Sequence, residues 1–498
     1  MSNDYGTSAL WYRRPVPLCL VRLYRWVPRE HGVIREYISS LRIEKSLIID
    51  SVIIFKMIDI VARYHNLSLP QPSLVTEVTH AVVAFATPET FLDAANTSSW
   101  QPFEAVGSVK GRFSPNVKVC LSIGGWGSNV GFEKGVLPAN QGTYATNVAS
   151  VLQRLNFDCV DIDWEYPGGG GADYKLDNAV STPEEQVNNY PSFLEGIKKA
   201  IGGKELSIAV PGLDADMGAF TPATCQAIAP FVDFVNVMSY DLMNRRSATT
   251  QHHASVTGSK KGMEAYIKNG IPAAKLNLGF PFYAKWFTLQ AGTKCGNPVG
   301  CAVGPFENAD GSDNGFSGVF TFEDFNLKKP PTDAAVSSNG KCGIVDGKDL
   351  KCPDGACCSS SMYCGTTKNY CGAGCLAGYG KCEAPVTTET FQRVHQSGKT
   401  DEAEGGVWFI DEQTNTFWTW DTPEIIARKF TDIVAPLQLG GIMAWSFGED
   451  SYDYSHIKAL QDGYKGAKPL TKRTNAEAET WPTTLRYAGR SGRNAVDL

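Results

Sequence analysis

Between Asp158 and Glu165 the chain reads Asp-Cys-Val-Asp-Ile-Asp-Trp-Glu, and few folds accommodate such a segment. Side chains of an extended strand alternate faces, so Asp161, Asp163 and Glu165 share one side while Val160, Ile162 and Trp164 take the other. The interleaved apolar residues require burial on both sides and exclude a merely solvated acidic face. Asp158 is out of that register and is assigned a supporting role. Three carboxylates stacked in an interior repel unless one keeps a proton or donors surround them. Crowding of this kind raises the proton affinity of at least one member, which a general acid near neutral pH requires.

The same doubly buried character recurs along the chain. Val78–Phe85, Val117–Ile123, Leu206–Val210, Phe231–Tyr240, Leu276–Phe282 and Gly440–Phe447 are continuous apolar runs like Phe157–Trp164, the pattern of strands covered on both faces. Helical stretches such as Glu184–Ile201 and Pro423–Val434 separate several of them. The alternation predicts an α/β protein with a parallel sheet, and seven or eight units predict a closed (β/α)8 TIM barrel. An open doubly wound sheet is the alternative. A further strand is expected within Ser51–Tyr64. In a barrel, chemistry belongs at the C-terminal ends of the strands.

Composition narrows the setting. Eight of the 14 cysteines lie between Cys342 and Cys382, in a stretch without histidine. That density reads as a disulfide scaffold of an oxidising compartment rather than a zinc cluster. A formal net charge of −6 gives no reason to expect a nucleic-acid partner. Ser46–Ala62, the most apolar long stretch, is interrupted by Asp50, Lys56 and Asp59, so no membrane span is expected. The first 45 residues are Arg-rich and resemble no secretory leader. Set against the disulfides, this suggests that the gene start is misassigned or that a leader has been lost. Asn66-Leu67-Ser68 and Asn96-Thr97-Ser98 are glycosylation sequons.

The acidic segment resembles the D-x-x-D-x-D-x-E signature of glycoside hydrolase family 18, the chitinases and their relatives. Ser122-Ile123-Gly124-Gly125 is similar to the family's S-x-G-G, followed here by Trp126. Met238-Ser239-Tyr240-Asp241 is similar to its M-x-Y-D, and Trp445 falls where the family keeps the Trp that floors the substrate site. The resemblance implies a retaining, substrate-assisted hydrolysis. Glu165 would protonate the glycosidic oxygen, and the substrate's own 2-acetamido carbonyl would attack the anomeric carbon. Asp163 would hold the acetamide N–H, Asp161 would share a proton with Asp163, and Tyr240 would donate to the acetamide oxygen. Trp445, Trp126, Tyr166, Met238, Asp241 and Ser122 would contact the substrate or brace these groups. No cofactor or metal is implied. His252 and His253 read as structural or surface residues of a loop.

Far more chain lies between Phe282 and Gly440 than one barrel helix needs. Its outer parts resemble the α+β insertion of deep-cleft family members, and Trp408, Trp418 and Trp420 suit either cleft lining or core. Cys295 and Cys301 are close enough to close a small loop. The cysteine-rich part resembles the hevein-type chitin-binding domain, which implies Cys342–Cys358, Cys352–Cys364, Cys357–Cys371 and Cys375–Cys382 pairing. It also implies sugar binding by Ser359, Tyr363 and Tyr370. Ser361 stands where an aromatic is usual, so weaker binding is expected. The expected organisation is an extension (1–50), a catalytic barrel (51–465) interrupted by an insertion (283–421) that carries the chitin-binding module (339–384), and a disordered tail (466–498). The implied protein is a secreted monomer acting on chitin and chito-oligosaccharides. The alternatives are a catalytically dead chitin lectin, an endo-β-N-acetylglucosaminidase acting on N-glycans, and a toxin component that needs chitin hydrolysis for entry.

Overall fold

The structure, a computed structural model, describes residues 52–58, 72–172, 174–175, 180–322, 333–345, 348–359, 362–371, 375–376, 378–382, 388–450 and 453–467. The expected extension (1–50), the tail (466–498) apart from residues 466–467, the sequon at Asn66 and the position of Ser361 lie outside the described residues.

Eight parallel strands close into a barrel in sequence order: Val52–Ile58, His80–Ala86, Lys118–Gly124, Cys159–Asp163, Glu205–Pro211, Phe234–Met238, Leu276–Pro281 and Gly441–Trp445. The last strand pairs with the first, Val52 opposite Gly441, so the sheet has no open edge. The strand expected within Ser51–Tyr64 is the first of these. Several strands are shorter than their apolar runs. The sixth stops at Met238 rather than Tyr240 because the chain turns there: Ser239 N–H bonds to the Val237 carbonyl at 2.8 Å. The Ser239 hydroxyl then takes over the pairing with the seventh strand, donating to Gly279 O and accepting from Gly279 N–H, both at 2.9 Å.

From His80–Ala86 onward, the two faces of the barrel strands serve two cores. Val160, Ile162 and Trp164 point outward into the layer between strands and helices, where Trp164 packs on Phe132 and Tyr190 at ring separations of 5.3 and 5.8 Å. Truncating a buried aromatic of this kind costs roughly 3–5 kcal/mol. The outer helices start from strong local signals. Helix Pro183–Ile201 carries Pro at its first position and a capping box: Thr182 Oγ1 accepts from Glu185 N–H at 3.2 Å, and the Glu185 carboxylate accepts from Thr182 N–H at 2.9 Å. The stretch Pro423–Val434 is α-helical only to Lys429 and continues as a π turn from Phe430 to Val434.

The insertion builds a five-stranded antiparallel sheet in the order Lys399–Asp401, Gly406–Asp411, Thr416–Trp420, Tyr283–Thr288 and Ser317–Thr321. Trp418 and Trp420 are buried in its core, and half-buried Trp408 lies under the Lys399 ammonium at 5.3 Å. The cysteine-rich stretch forms small sheets of its own (Ala335–Val336, Gly343–Val345 and Lys348–Lys351; Cys357–Cys358 and Cys364–Gly365). It is cross-linked Cys342–Cys358, Cys352–Cys364, Cys357–Cys371 and Cys375–Cys382, and Cys295 pairs with Cys301. A further disulfide that the sequence reading did not anticipate, Cys120–Cys159, joins the third and fourth barrel strands on the barrel's inner face. Cys225 is a buried thiol. Among the described residues no helix is long and apolar enough to cross a membrane.

Candidate active site

The inner face of the fourth strand carries the carboxylates upward through the barrel. Asp161 is fully buried and accepts hydrogen bonds from Ser122 Oγ at 2.9 Å, Ser207 Oγ at 2.6 Å and Asn236 Nδ2 at 3.1 Å. These donors sit on the third, fifth and sixth strands, and Asn277 of the seventh donates to Asn236 Oδ1 at 3.0 Å. Strand register explains the convergence, since Ser122 and Ser207 lie directly opposite Asp161 on its two neighbours. A buried carboxylate needs such donors. Asp158 faces elsewhere: it accepts from Val119 N–H at 2.8 Å and pairs with Lys110 at 2.8 Å.

Asp163, one layer higher, is also buried. Gly124 lies opposite it at φ +115°, and a Cβ there would meet the Asp163 carbonyl oxygen at 2.1 Å. Only glycine lets the two strands approach so closely. Glu165 has left the strand and lines an open cleft of about 370 Å³ together with Trp126, Tyr166, Met238, Tyr240 and Asp241. Three peptides at strand C-termini are cis: Ala84–Phe85, Glu165–Tyr166 and Trp445–Ser446.

Tyr240 is buried, its hydroxyl 3.8 Å from Met443 Sδ. Burial, reinforced by the charges of Asp163 and Glu165, holds its pKa well above the usual tyrosine value, so it is a donor at any working pH. Asp241, at φ +55°, receives Tyr283 Oη at 2.9 Å and Lys285 Nζ at 3.0 Å on the same oxygen, Oδ1. Its partial burial favours the neutral acid, but Lys285 and His253 outweigh that and hold it below the ordinary carboxylate range. Trp126 is 50 % exposed at the cleft wall, a free aromatic face. Trp445, at the end of the last strand, stacks on Phe85 at 5.6 Å. Of the other residues expected in a site, Ser359 Oγ accepts from Tyr363 N–H at 3.2 Å, and Tyr363 and Tyr370 are half-buried in the cysteine-rich stretch.

A family model described as Glycosyl hydrolases family 18 matches residues 60–450. The chain belongs to that family. Within it, Chitinase A1 of Niallia circulans is 31 % identical over 196 residues, covering 34 % of this chain and 27 % of that protein. Chitotriosidase-1 of Mus musculus is 27 % identical over 250 residues, covering 46 % and 51 %. The chain thus spans between about a quarter and a half of the length of these curated relatives. The Group IV chitinase of Ostrinia furnacalis, solved in complex with allosamidin, superposes with a TM-score of 0.56 at 17 % identity, over 84 % of this chain and all of that one.

For this family 18 chain the sequence reading missed several residues around the cleft. Tyr283 and Lys285 belong to the insertion's first strand, and their period-2 spacing was the available signal. Ser207 and Phe85 sit inside apolar runs and carry no signal by themselves. His252 and His253 are not surface residues: they are 4 % and 0 % exposed. His252 bonds Thr419 Oγ1 at 3.1 Å and Asp401 at 3.2 Å, tying the barrel to the inserted sheet.

Proposed function

We propose that the chain is a chitinase that cleaves β-1,4-linked N-acetylglucosamine polymers with retention of configuration. The observation that carries this reading is the vertical arrangement on one strand face: Glu165 at the open cleft, Asp163 buried below it, and Asp161 below that among three donors. Glu165 protonates the glycosidic oxygen. The substrate's acetamide oxygen attacks the anomeric carbon as the C–O bond breaks, forming an oxazolinium ion. Asp163 accepts from the acetamide N–H and balances the growing positive charge, while Tyr240 donates to the acetamide oxygen. Glu165, now a carboxylate, takes a proton from the incoming water, which adds to the anomeric carbon and returns the acetamide. Asp161 shares a proton with Asp163 through the cycle, held in place by Ser122, Ser207 and Asn236. Trp445 floors the site, and Trp126, Tyr166, Met238 and Asp241 contact the sugar chain.

The cysteine-rich stretch (339–384) serves as a chitin tether, with Ser359, Tyr363 and Tyr370 as its contacts, raising the local concentration of polymer at the cleft. The disulfides support an extracellular, oxidising location, and a monomer suffices for the chemistry. Glu165→Gln tests the central reading on colloidal chitin. Release of oligomers by the parent and a loss of at least about 10²–10⁴-fold in the variant supports it. A folded parent that binds chitin yet releases nothing would make the protein a lectin instead.

A further inference from the structure

His253 is the least explained residue near the cleft. Its side chain is fully buried, and neither ring nitrogen has a hydrogen-bond partner within normal distance. Nδ1 lies 3.8 Å from Asp241 Oδ1, outside hydrogen-bond length but within ion-pair reach. The ring packs against Tyr283 at 5.4 Å, the same tyrosine whose hydroxyl bonds Asp241. The His253 carbonyl, meanwhile, accepts from Leu242 N–H at 3.0 Å, so its backbone is anchored one residue beyond Asp241. Burying an imidazole without a partner is unfavourable. A phenylalanine would fill the same space without that cost.

Packing therefore leaves the imidazole unaccounted for, and its distance to Asp241 suggests what it is for. Tyr283, Lys285 and His253 all approach one oxygen of Asp241, while the carboxylate, 49 % exposed, opens onto the cleft. Contacts in an unliganded site are often long and tighten when substrate arrives. We propose that His253 is a positioning residue: when a sugar hydroxyl bonds the cleft-side oxygen of Asp241, the carboxylate settles back onto His253 Nδ1–H. The proposal deepens the chitinase reading and rests on it, since it needs a sugar at Asp241. Burial keeps the imidazole's pKa below its usual value against the pull of Asp241, and Lys285 acts in the same direction. A neutral ring with its proton on Nδ1 then adds a third donor to the oxygen already held by Tyr283 and Lys285.

The test is a double-mutant cycle on chitotetraose with His253→Phe, Asp241→Asn and the pair. If His253 acts through Asp241, His253→Phe raises KM about tenfold with kcat changed far less. Asp241→Asn then adds little in the His253→Phe background, and His253→Gln, which keeps a donor, recovers part of the loss. Additive losses, or equal losses for Phe and Gln, overturn the proposal. Imidazole ¹⁵N spectra of the Glu165→Gln protein give an answer that needs no change at His253. Saturating chitotetraose should produce a slowly exchanging, downfield Nδ1–H resonance that is missing when Asp241→Asn is added. An unchanged His253 signal in saturated protein overturns the idea as well. Turnover of chitotetraose by the parent is read first, so failure of the chitinase reading shows there and stays separate from failure of the His253 assignment.

Discussion

The barrel and the cysteine-rich stretch solve the problem of a stable interior in opposite ways. The barrel buries a continuous apolar layer between its strands from His80–Ala86 onward and their helices, and it uses that surplus to hold a fully buried Asp161 in its centre. Among the described residues of the stretch from Cys342 to Cys382, the apolar side chains buried beside the cysteines are Val345, Met362, Leu376 and Tyr379. So few apolar side chains cannot offset the chain entropy of ordering the segment, and four cross-links supply the difference by restricting the unfolded chain. A large core can afford polar chemistry inside; a small one needs covalent bonds simply to persist.

The largest effect should come from breaking that difference directly. Cys342→Ser with Cys358→Ser opens a bridge of sequence separation 16 and should cost the segment roughly 2–5 kcal/mol. Limited proteolysis should then cut within 342–382, while the barrel's thermal transition hardly moves. Cys120→Ser with Cys159→Ser removes a bridge of separation 39 from strands already paired in register, so the barrel should lose stability yet remain folded. Equal loss of fold in the two double variants would erase the distinction drawn here.

A smaller effect is expected inside the barrel, at the fully buried Asp161. Ser207→Ala removes the 2.6 Å donor to Asp161 without opening a large cavity. It should destabilise the barrel by about 1–3 kcal/mol and reduce activity with kcat affected more than KM, because Asp161 lies below the substrate. Denaturant melts and steady-state kinetics check both halves. A variant as stable and as active as the parent would mean that the remaining partners, Ser122 and Asn236 among them, satisfy the carboxylate.

How much of this was legible beforehand follows from where each signal lives. The acidic strand announced itself because alternation within one strand is local: Asp161, Asp163 and Glu165 carry their shared face in their spacing. The strands, and hence the barrel, were legible from burial on both faces. Strand ends were not, because a turn such as that at Ser239 is fixed by hydrogen bonds to a neighbouring strand. The same limit hid Cys120–Cys159. The two residues oppose each other only once the third and fourth strands are in register, and nothing in their own surroundings sets them apart. For His253 the expectation of a structural or surface loop residue was half resolved: it does lie in a loop, but it is fully buried. Its neighbours Gln251, His252 and Ala254 have no periodicity that could tell the two apart, and the ring packs on Tyr283 of the insertion. The family resemblance identified Asp241, but the donors around it come from that insertion too.

An effect absent at acid pH concerns a second carboxyl near the cleft, which distinguishes the barrel from the cysteine-rich stretch by pH rather than by redox state. Glu449 follows the last strand and accepts from Ser446 N–H at 3.1 Å. Burial raises its pKa from 4.5 to about 7; the bonds from Ser446 oppose the shift and the charge of Asp241 adds to it. The folded value lies above the unfolded one, so its stabilising contribution is complete below pH 4.5 and is lost as pH rises through about 7. Glu449→Gln keeps an acceptor for Ser446 and removes the charge. Parent and variant should therefore melt alike at pH 4.5. By pH 8 the variant should be the more stable, by up to about 3 kcal/mol, with disulfide integrity of the cysteine-rich stretch unaffected. Melting curves that stay parallel from pH 4.5 to 8 would show that Glu449 ionises freely, and the barrel mouth would then be wetter than its packing implies.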